Sequence, residues 1–83
     1  MATPKEVAQR LSGELKVEIN RLGTKRWYLK GKLHREDGPA IEHADGTKEW
    51  YLNGKLHRKD GPAIEWVDGH KIWYLNGKMG KWI

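Results

Sequence analysis

The sequence predicts a mainly β protein: an antiparallel β-meander of 23-residue hairpin repeats, arranged as a curled single-layer sheet, with a short N-terminal α-helix. Two observations carry this expectation. Residues 27–49 read WYLKGKLHREDGPAIEHADGTKE and residues 50–72 read WYLNGKLHRKDGPAIEWVDGHKI, identical at 17 of 23 aligned positions. Between the turn signals lie only short apolar-polar runs, with no crossover long enough for parallel pairing. A unit of this length cannot bury a core alone, so each must lean on its neighbours. A residue that recurs in each copy can therefore be maintaining the unit rather than performing chemistry.

The chain reads as a single domain over 1–83, in five stretches. Residues 1–14 predict the helix. Thr3 caps it, Pro4 occupies the first helical position where no N–H is required, and Glu6 completes a capping box. Val7, Ala8 and Leu11 share one helical face, and Ser12-Gly13 ends it. Residues 15–26 form a degenerate half-repeat: Leu15, Val17 and Ile19 alternate with polar residues, and Leu22-Gly23-Thr24-Lys25 stands where Asp45-Gly46-Thr47-Lys48 stands one unit later. Residues 27–49 and 50–72 are the two full repeats. Asn53-Gly54 and Asn76-Gly77 signal type I′ hairpin turns, in which both central residues need positive φ, and Asp45-Gly46 and Asp68-Gly69 give the same signal at the other end of the unit. Asp37-Gly38-Pro39 and Asp60-Gly61-Pro62 form a third corner, with proline opening the next strand. Residues 73–83 are a truncated capping repeat, where Leu56-His57-Arg58 is replaced by Met79-Gly80-Lys81 and the apolar pair Trp82-Ile83 follows. That pair marks a site of self-association, by homodimer pairing of the last strand, or folds back on the sheet.

Composition narrows the possibilities. With no Phe and no Cys, the expected core is thin and built around Trp27, Trp50, Trp66, Trp73 and Trp82, without a disulfide framework or a cysteine zinc site. No stretch is long and apolar enough to span a bilayer as a helix, and MATPKEVAQRL lacks the apolar core of a secretion signal, which predicts a soluble, cytoplasmic protein. The net charge of +5 is concentrated in residues 15–35, in Lys16, Arg21, Lys25, Arg26, Lys30, Lys32 and Arg35. Such a block either attracts phosphate or an acidic protein face, or simply protects the first strands from edge-to-edge pairing.

His34-Arg35-Glu36-Asp37 and His57-Arg58-Lys59-Asp60 are the recurring polar corners. A metal site would need further ligands that no cysteine or acidic cluster supplies, and a catalytic site would need a nucleophile, whereas Ser12, Thr3, Thr24 and Thr47 lie outside the corners. The expectation is therefore structural, with no cofactor, no metal and no catalytic residue: aspartate accepting backbone N–H groups, arginine pairing with it or with a neighbouring carboxylate, histidine packing beside tryptophan. Alternation along the strands puts Trp27, Trp50 and Trp73 with Leu29, Leu52 and Leu75 on one face, and Tyr28, Tyr51 and Tyr74 on the other. The tyrosines serve as a stiffening ladder, a binding platform, or both.

The signature carried by Gly46, Trp50, Tyr51, Gly54, His57, Arg58, Asp60, Gly61, Pro62 and Ala63 resembles the MORN-type repeats, in the variant group with the WY.NGK.HR.DGPA pattern, over residues 22–78. The resemblance implies hairpin repeats used as scaffolds for dimerisation and protein binding, and no catalysis. The His-Arg-x-Asp-Gly-Pro corner departs from the commoner MORN pattern, which argues against the phospholipid contact of some members. Repeats of this variant are familiar from short bacteriophage and bacterial proteins. The resulting expectation is a non-catalytic protein-binding module: a small phage-encoded inhibitor that covers a surface of a host protein, such as a CRISPR effector complex or another immune factor. The expected contact residues are Lys25, Arg26, Tyr28, Lys30, Lys32 and Arg35. The alternatives are a nucleic-acid or nucleotide-phosphate binder using the same basic block, and a structural homo-oligomer.

Overall fold

The computed structural model describes residues 15–83, so the helix expected over 1–14 lies outside the described residues. Ten strands run in order: β1 (Leu15–Ile19), β2 (Lys25–Leu29), β3 (Lys32–Leu33), β4 (Ile41–Glu42), β5 (Lys48–Glu49), β6 (Tyr51–Leu52), β7 (Lys55–Leu56), β8 (Ile64–Glu65), β9 (Lys71–Leu75) and β10 (Lys78–Trp82). Every pairing is antiparallel. The main sheet has the order β1-β2-β4-β5-β8-β9-β10, with β3 paired to β2, and β6-β7 form a separate hairpin. The fold is thus mainly β and meander-like, and no helix occurs among the described residues.

The strands are shorter than the alternating runs suggest because the ladder changes partners at the tryptophan. Lys48–Glu49 is held between β4 and β8, whereas Tyr51–Leu52 pairs with β7. Trp50 is the pivot: its N–H donates to the Ala63 carbonyl at 2.7 Å, and its carbonyl accepts the His57 N–H at 3.0 Å. At the ends of the array β2 and β9 run unbroken, because β1 and β10 pair along their whole lengths.

Two kinds of turn alternate. At Asn53-Gly54 and Asn76-Gly77 both residues have positive φ (52° and 81°, 50° and 82°), the type I′ geometry that matches strand twist. The Asp-Gly turns differ from expectation. Gly46 and Gly69 have φ near 98°, but neither Asp45 nor Asp68 is left-handed. Gly46 N–H donates to His43 O at 2.9 Å and the Asp45 carboxylate accepts the Thr47 N–H at 2.8 Å. This is a turn followed by a left-handed glycine, the G1-bulge arrangement. The aspartate side chain closes the loop from a right-handed conformation, so no type I′ turn forms there. Asn20, whose side-chain oxygen accepts the Leu22 and Thr24 N–H groups, does the same service at the degenerate first turn.

The core also departs from the expected tryptophan-centred one. Among the described residues the buried core comprises Pro39, Ala40, Ile41, Pro62, Ala63 and Ile64, joined by Thr24, Thr47 and His34, while Trp66 and Trp82 remain 40% and 65% exposed. Trp27, Trp50 and Trp73 are half-buried. Small residues suit the corner because bulky rings must pass over them, and alanine leaves that space open.

Lys30 occupies the asparagine station of the first type I′ turn with φ 52°. Left-handed backbone strains a lysine far more than an asparagine, whose short polar side chain tolerates it. Lys30→Asn is therefore expected to raise stability by about 0.5–1 kcal/mol, measured as a higher urea midpoint at unchanged slope; a lower midpoint would contradict this account of the turn.

Candidate functional site

Successive strands present two chemically different faces. On the tryptophan face, Lys25, Glu42, Lys48, Glu65 and Lys71 lie directly opposite one another across neighbouring strands, an alternating ladder of charge. Beyond it, Arg35 stacks on Trp27 and Arg58 on Trp50, each with the guanidinium carbon 3.8 Å from the ring centroid. The same guanidinium donates to Asp37 (2.9 Å), the Pro39 carbonyl (3.1 Å) and Glu42 (3.0 Å) in the first unit. In the second it donates to Asp60, the Pro62 carbonyl and Glu65 at 3.0, 3.1 and 3.1 Å. Glycine is needed beside it for space rather than for φ. A Cβ on Gly38 would stand 2.9 Å from Arg35 Cζ, and one on Gly61 2.8 Å from Arg58 Cζ.

The histidines link consecutive units. His34 Nδ1 accepts the backbone N–H of Asn53 at 2.9 Å, and His57 Nδ1 accepts that of Asn76 at 2.9 Å. With Nδ1 as acceptor, the neutral ring carries its proton on Nε2, which in His34 donates to Glu36 at 3.3 Å. At the opposite edge Thr24 Oγ1 accepts the Ala44 N–H (3.1 Å) and Thr47 Oγ1 the Val67 N–H (3.3 Å). Between the two corners a groove of about 870 Å³ is lined by Arg35, Asp37, Trp50, Asn53, His57 and Arg58 among others. Within it Arg35 is engaged with Asp37 and Arg58 with Asp60, and no group of three or more His, Asp or Glu side chains that could hold a metal occurs among the described residues.

The opposite, tyrosine face is apolar in its upper row. Tyr28 lies opposite Leu33, Tyr51 opposite Leu56 and Tyr74 opposite Met79. A second row runs Arg26, Ile41, Glu49, Ile64, Ile72 and Trp82, each opposite the next. At its centre the Glu49 carboxylate accepts from His43 Nε2 at 2.6 Å and from the Tyr51 hydroxyl at 2.9 Å. Towards β10 the face becomes wholly apolar, and Trp66, Met79 and Trp82 stand 40%, 55% and 65% exposed. Burial, followed by the hydrogen bond to Glu49 and that carboxylate's charge, pushes the Tyr51 pKa up to about 12. The Thr47 backbone and hydroxyl hold Asp45 below its ordinary value, and the side chain and backbone of His70 do so for Asp68.

The structure divides the contact residues expected from the basic block. Arg26 and Tyr28 share the tyrosine face, opposite Glu18 and Lys16 of β1. Lys25 lies on the other face, opposite Glu42, and Arg35 is enclosed by Trp27, Asp37 and Glu42. Lys30 and Lys32 sit at the first hairpin tip. Lys16 pairs with Glu18 at 3.0 Å. Adjacent strand residues point to opposite faces, so a run of cations along the chain does not make one patch. Trp82 lies in the ladder opposite Ile72, and Ile83 exchanges two 2.8 Å backbone bonds with Lys71. Trp66, Ile72 and Met79 of the tyrosine face escaped sequence reasoning; their signal was the same alternation, carried on to β8, β9 and β10. Among the described residues no helix is long and apolar enough to cross a membrane. The chain matches no protein-family model, no curated protein and no solved structure.

Two outcomes follow from this geometry. His34→Phe keeps a flat ring but leaves the Asn53 N–H without its acceptor, which should cost about 1–3 kcal/mol in denaturant unfolding; an unchanged midpoint would mean that the inter-unit bond contributes nothing. The second concerns alkaline pH. An unfolded tyrosine ionises near pH 10, and folded Tyr51 keeps its proton to about 12. Folding stability is thus full below pH about 10 and falls as pH rises towards about 12. In Tyr51→Phe this part of the alkaline loss should disappear, as read from urea midpoints across that range.

Proposed function

We propose that the chain is a MORN-type repeat module, a curled array of 23-residue hairpins that binds another protein and catalyses no reaction. The observation that carries this reading is the tyrosine face. One surface unites Arg26, Tyr28, Tyr51, Tyr74, Trp66, Met79 and Trp82, the residue types that dominate protein interfaces, and leaves Trp82 65% exposed. On the other face the Arg35 and Arg58 corners spend their charges internally, on Asp37, Glu42, Asp60 and Glu65. The working surface is therefore the tyrosine face rather than the basic block as a whole.

The narrower reading is a phage-encoded inhibitor acting in the host cytoplasm by covering a site on a bacterial protein, an immune factor being the favoured class. Its support is the likeness of the repeat signature to those of short phage proteins. A homodimer through Trp82 and Ile83 is a second reading, favoured by the exposure of both residues, 65% and 62%.

The test is affinity capture from bacterial lysate with the parent chain and with Trp82→Ala and Tyr28→Ala, accompanied by sedimentation. Binding of one discrete protein by a monomeric parent, reduced at least about tenfold in Trp82→Ala, is the expected result, since aromatic anchors often contribute 2 kcal/mol or more. Equal capture by both variants would rule out the tyrosine face, and a parent dimer dissociated by Trp82→Ala would establish the homodimer instead.

A further inference from the structure

The hairpin tips, residues 30–32, 53–55 and 76–78, read KGK, NGK and NGK and place one lysine at the same station of every unit: Lys32, Lys55 and Lys78. The tips are locked in a stack. Gly54 N–H donates to Leu33 O at 2.8 Å, and Gly77 N–H donates to Leu56 O at 2.9 Å. The stems of Lys32 and Lys55 lie along the turns of the next unit. A Cβ on Gly54 would be 3.6 Å from Lys32 Cβ and 3.8 Å from its Cγ and Cδ; one on Gly77 would be 3.7 Å from Lys55 Cβ and Cδ. These are ordinary van der Waals distances, so Lys32 and Lys55 pack along the turns that follow them, while glycine is required there by its positive φ.

Lys32, Lys55 and Lys78 are exposed, and none of their ammonium groups is engaged in an ion pair or hydrogen bond among the described residues. The acidic side chains of the neighbouring corners are occupied, Asp37 by Arg35, Asp60 by Arg58 and Glu36 by His34. Each unit adds two strands spaced about 4.8 Å apart, so the lysines recur about every 10 Å along the row of hairpin tips.

We propose that this comb of lysines is a contact strip for the phosphodiester backbone of a nucleic acid, held by charge without reading its bases. A fixed linear repeat of point charges fits a polymer whose own charges recur regularly. A duplex carries one negative charge per about 1.7 Å of its axis with both strands counted, so a row of lysines about 20 Å long meets a dense array of phosphates. An acidic protein surface has no such regularity. The tip sequences contain no aromatic ring to stack on a base, and the exposed Asn53 and Asn76 amides add only neutral hydrogen-bonding groups. The site is separate from the tyrosine face and stands or falls independently of it.

Fluorescence anisotropy of the full chain with a labelled random-sequence duplex, at about 50 and about 200 mM salt, tests the proposal. Three phosphate contacts make the affinity fall about 40-fold between these concentrations. Each of Lys32→Gln, Lys55→Gln and Lys78→Gln is expected to reduce the logarithmic salt slope by about 1, and the triple variant to abolish binding. Glutamine keeps the stem that packs on the turn, and unchanged thermal melting would show that the array is intact. Lys48→Gln, in the tryptophan-face ladder, should bind as the parent does. No binding at the lower salt, equal binding by the triple variant, or an equal loss in Lys48→Gln would overturn the proposal. So would a glutamate-rich peptide that binds more tightly than the duplex, which would make the comb a protein-docking edge.

Discussion

Consecutive units are tied together by side chains that accept the next unit's backbone N–H groups. At the hairpin edge His34 and His57 receive Asn53 and Asn76, and at the opposite edge Thr24 and Thr47 receive Ala44 and Val67. Those N–H groups sit where the chain leaves regular pairing to turn, so the sheet ladder cannot satisfy them, and an unmet partly buried donor is expensive. A short ladder of two-residue strands would slip without such markers, since sheet register is weakly specified in short segments. His34 and Thr47, which join the two full repeats, are 8% and 5% exposed, and Thr24 is 6% exposed, which is unusual for polar groups unless they are satisfied. The histidine of both full repeats, and the threonine at positions 24 and 47, thus serve the neighbouring unit's backbone.

The same constraint explains how the two faces divide their work. On the tryptophan face, the guanidinium that covers the ring also binds the corner aspartate, the proline carbonyl and the glutamate of the next strand. Its charge and its surface are both consumed there. At the end of the array Lys81 takes the station of Arg35 and Arg58, lying 4.5 Å above Trp73. Ile83 stands at the station of the corner aspartates Asp37 and Asp60, and Trp82 lies directly opposite Ile72. This arrangement fills the ladder beside Lys71 and Ile72 but leaves β10 exposed throughout. A bulge between Met79 and Lys81 and the lysines at 78 and 81 make that edge a poor template for another strand.

Where the two full copies differ in sequence, the tyrosine face differs in character. Glu49 joins His43 and Tyr51 in a polar cluster at the middle of the face. The residues at the corresponding stations one unit later, Ile72, Trp66 and Tyr74, make it apolar. The face thus grades from Arg26, through a satisfied carboxylate, to a cluster of exposed aromatic and thioether side chains. The repeat scaffold is uniform while its surface is not, and such asymmetry gives one side of a repeat array its specificity.

Much of this was legible in the residues. Period-2 alternation separated tryptophan from tyrosine, because neighbouring strand residues must face opposite ways. The copied segments and the Asn-Gly pairs located the antiparallel hairpins, because only certain residues adopt left-handed backbone cheaply. Three things were decided by tertiary structure alone. The buried centre is Ala40, Ile41, Ala63 and Ile64 rather than the tryptophans, since burial depends on what arginine and neighbouring strands cover. The Asp-Gly turns took a bulged form because Asp45 and Asp68 bond to the backbone two residues on. Cations adjacent in the chain, from Lys25 to Arg35, were dispersed over two faces and a tip, while Lys32, Lys55 and Lys78, 23 residues apart, were aligned. Local order in a chain determines turns and strand faces, but proximity across a sheet arises from register, which no single stretch of sequence contains.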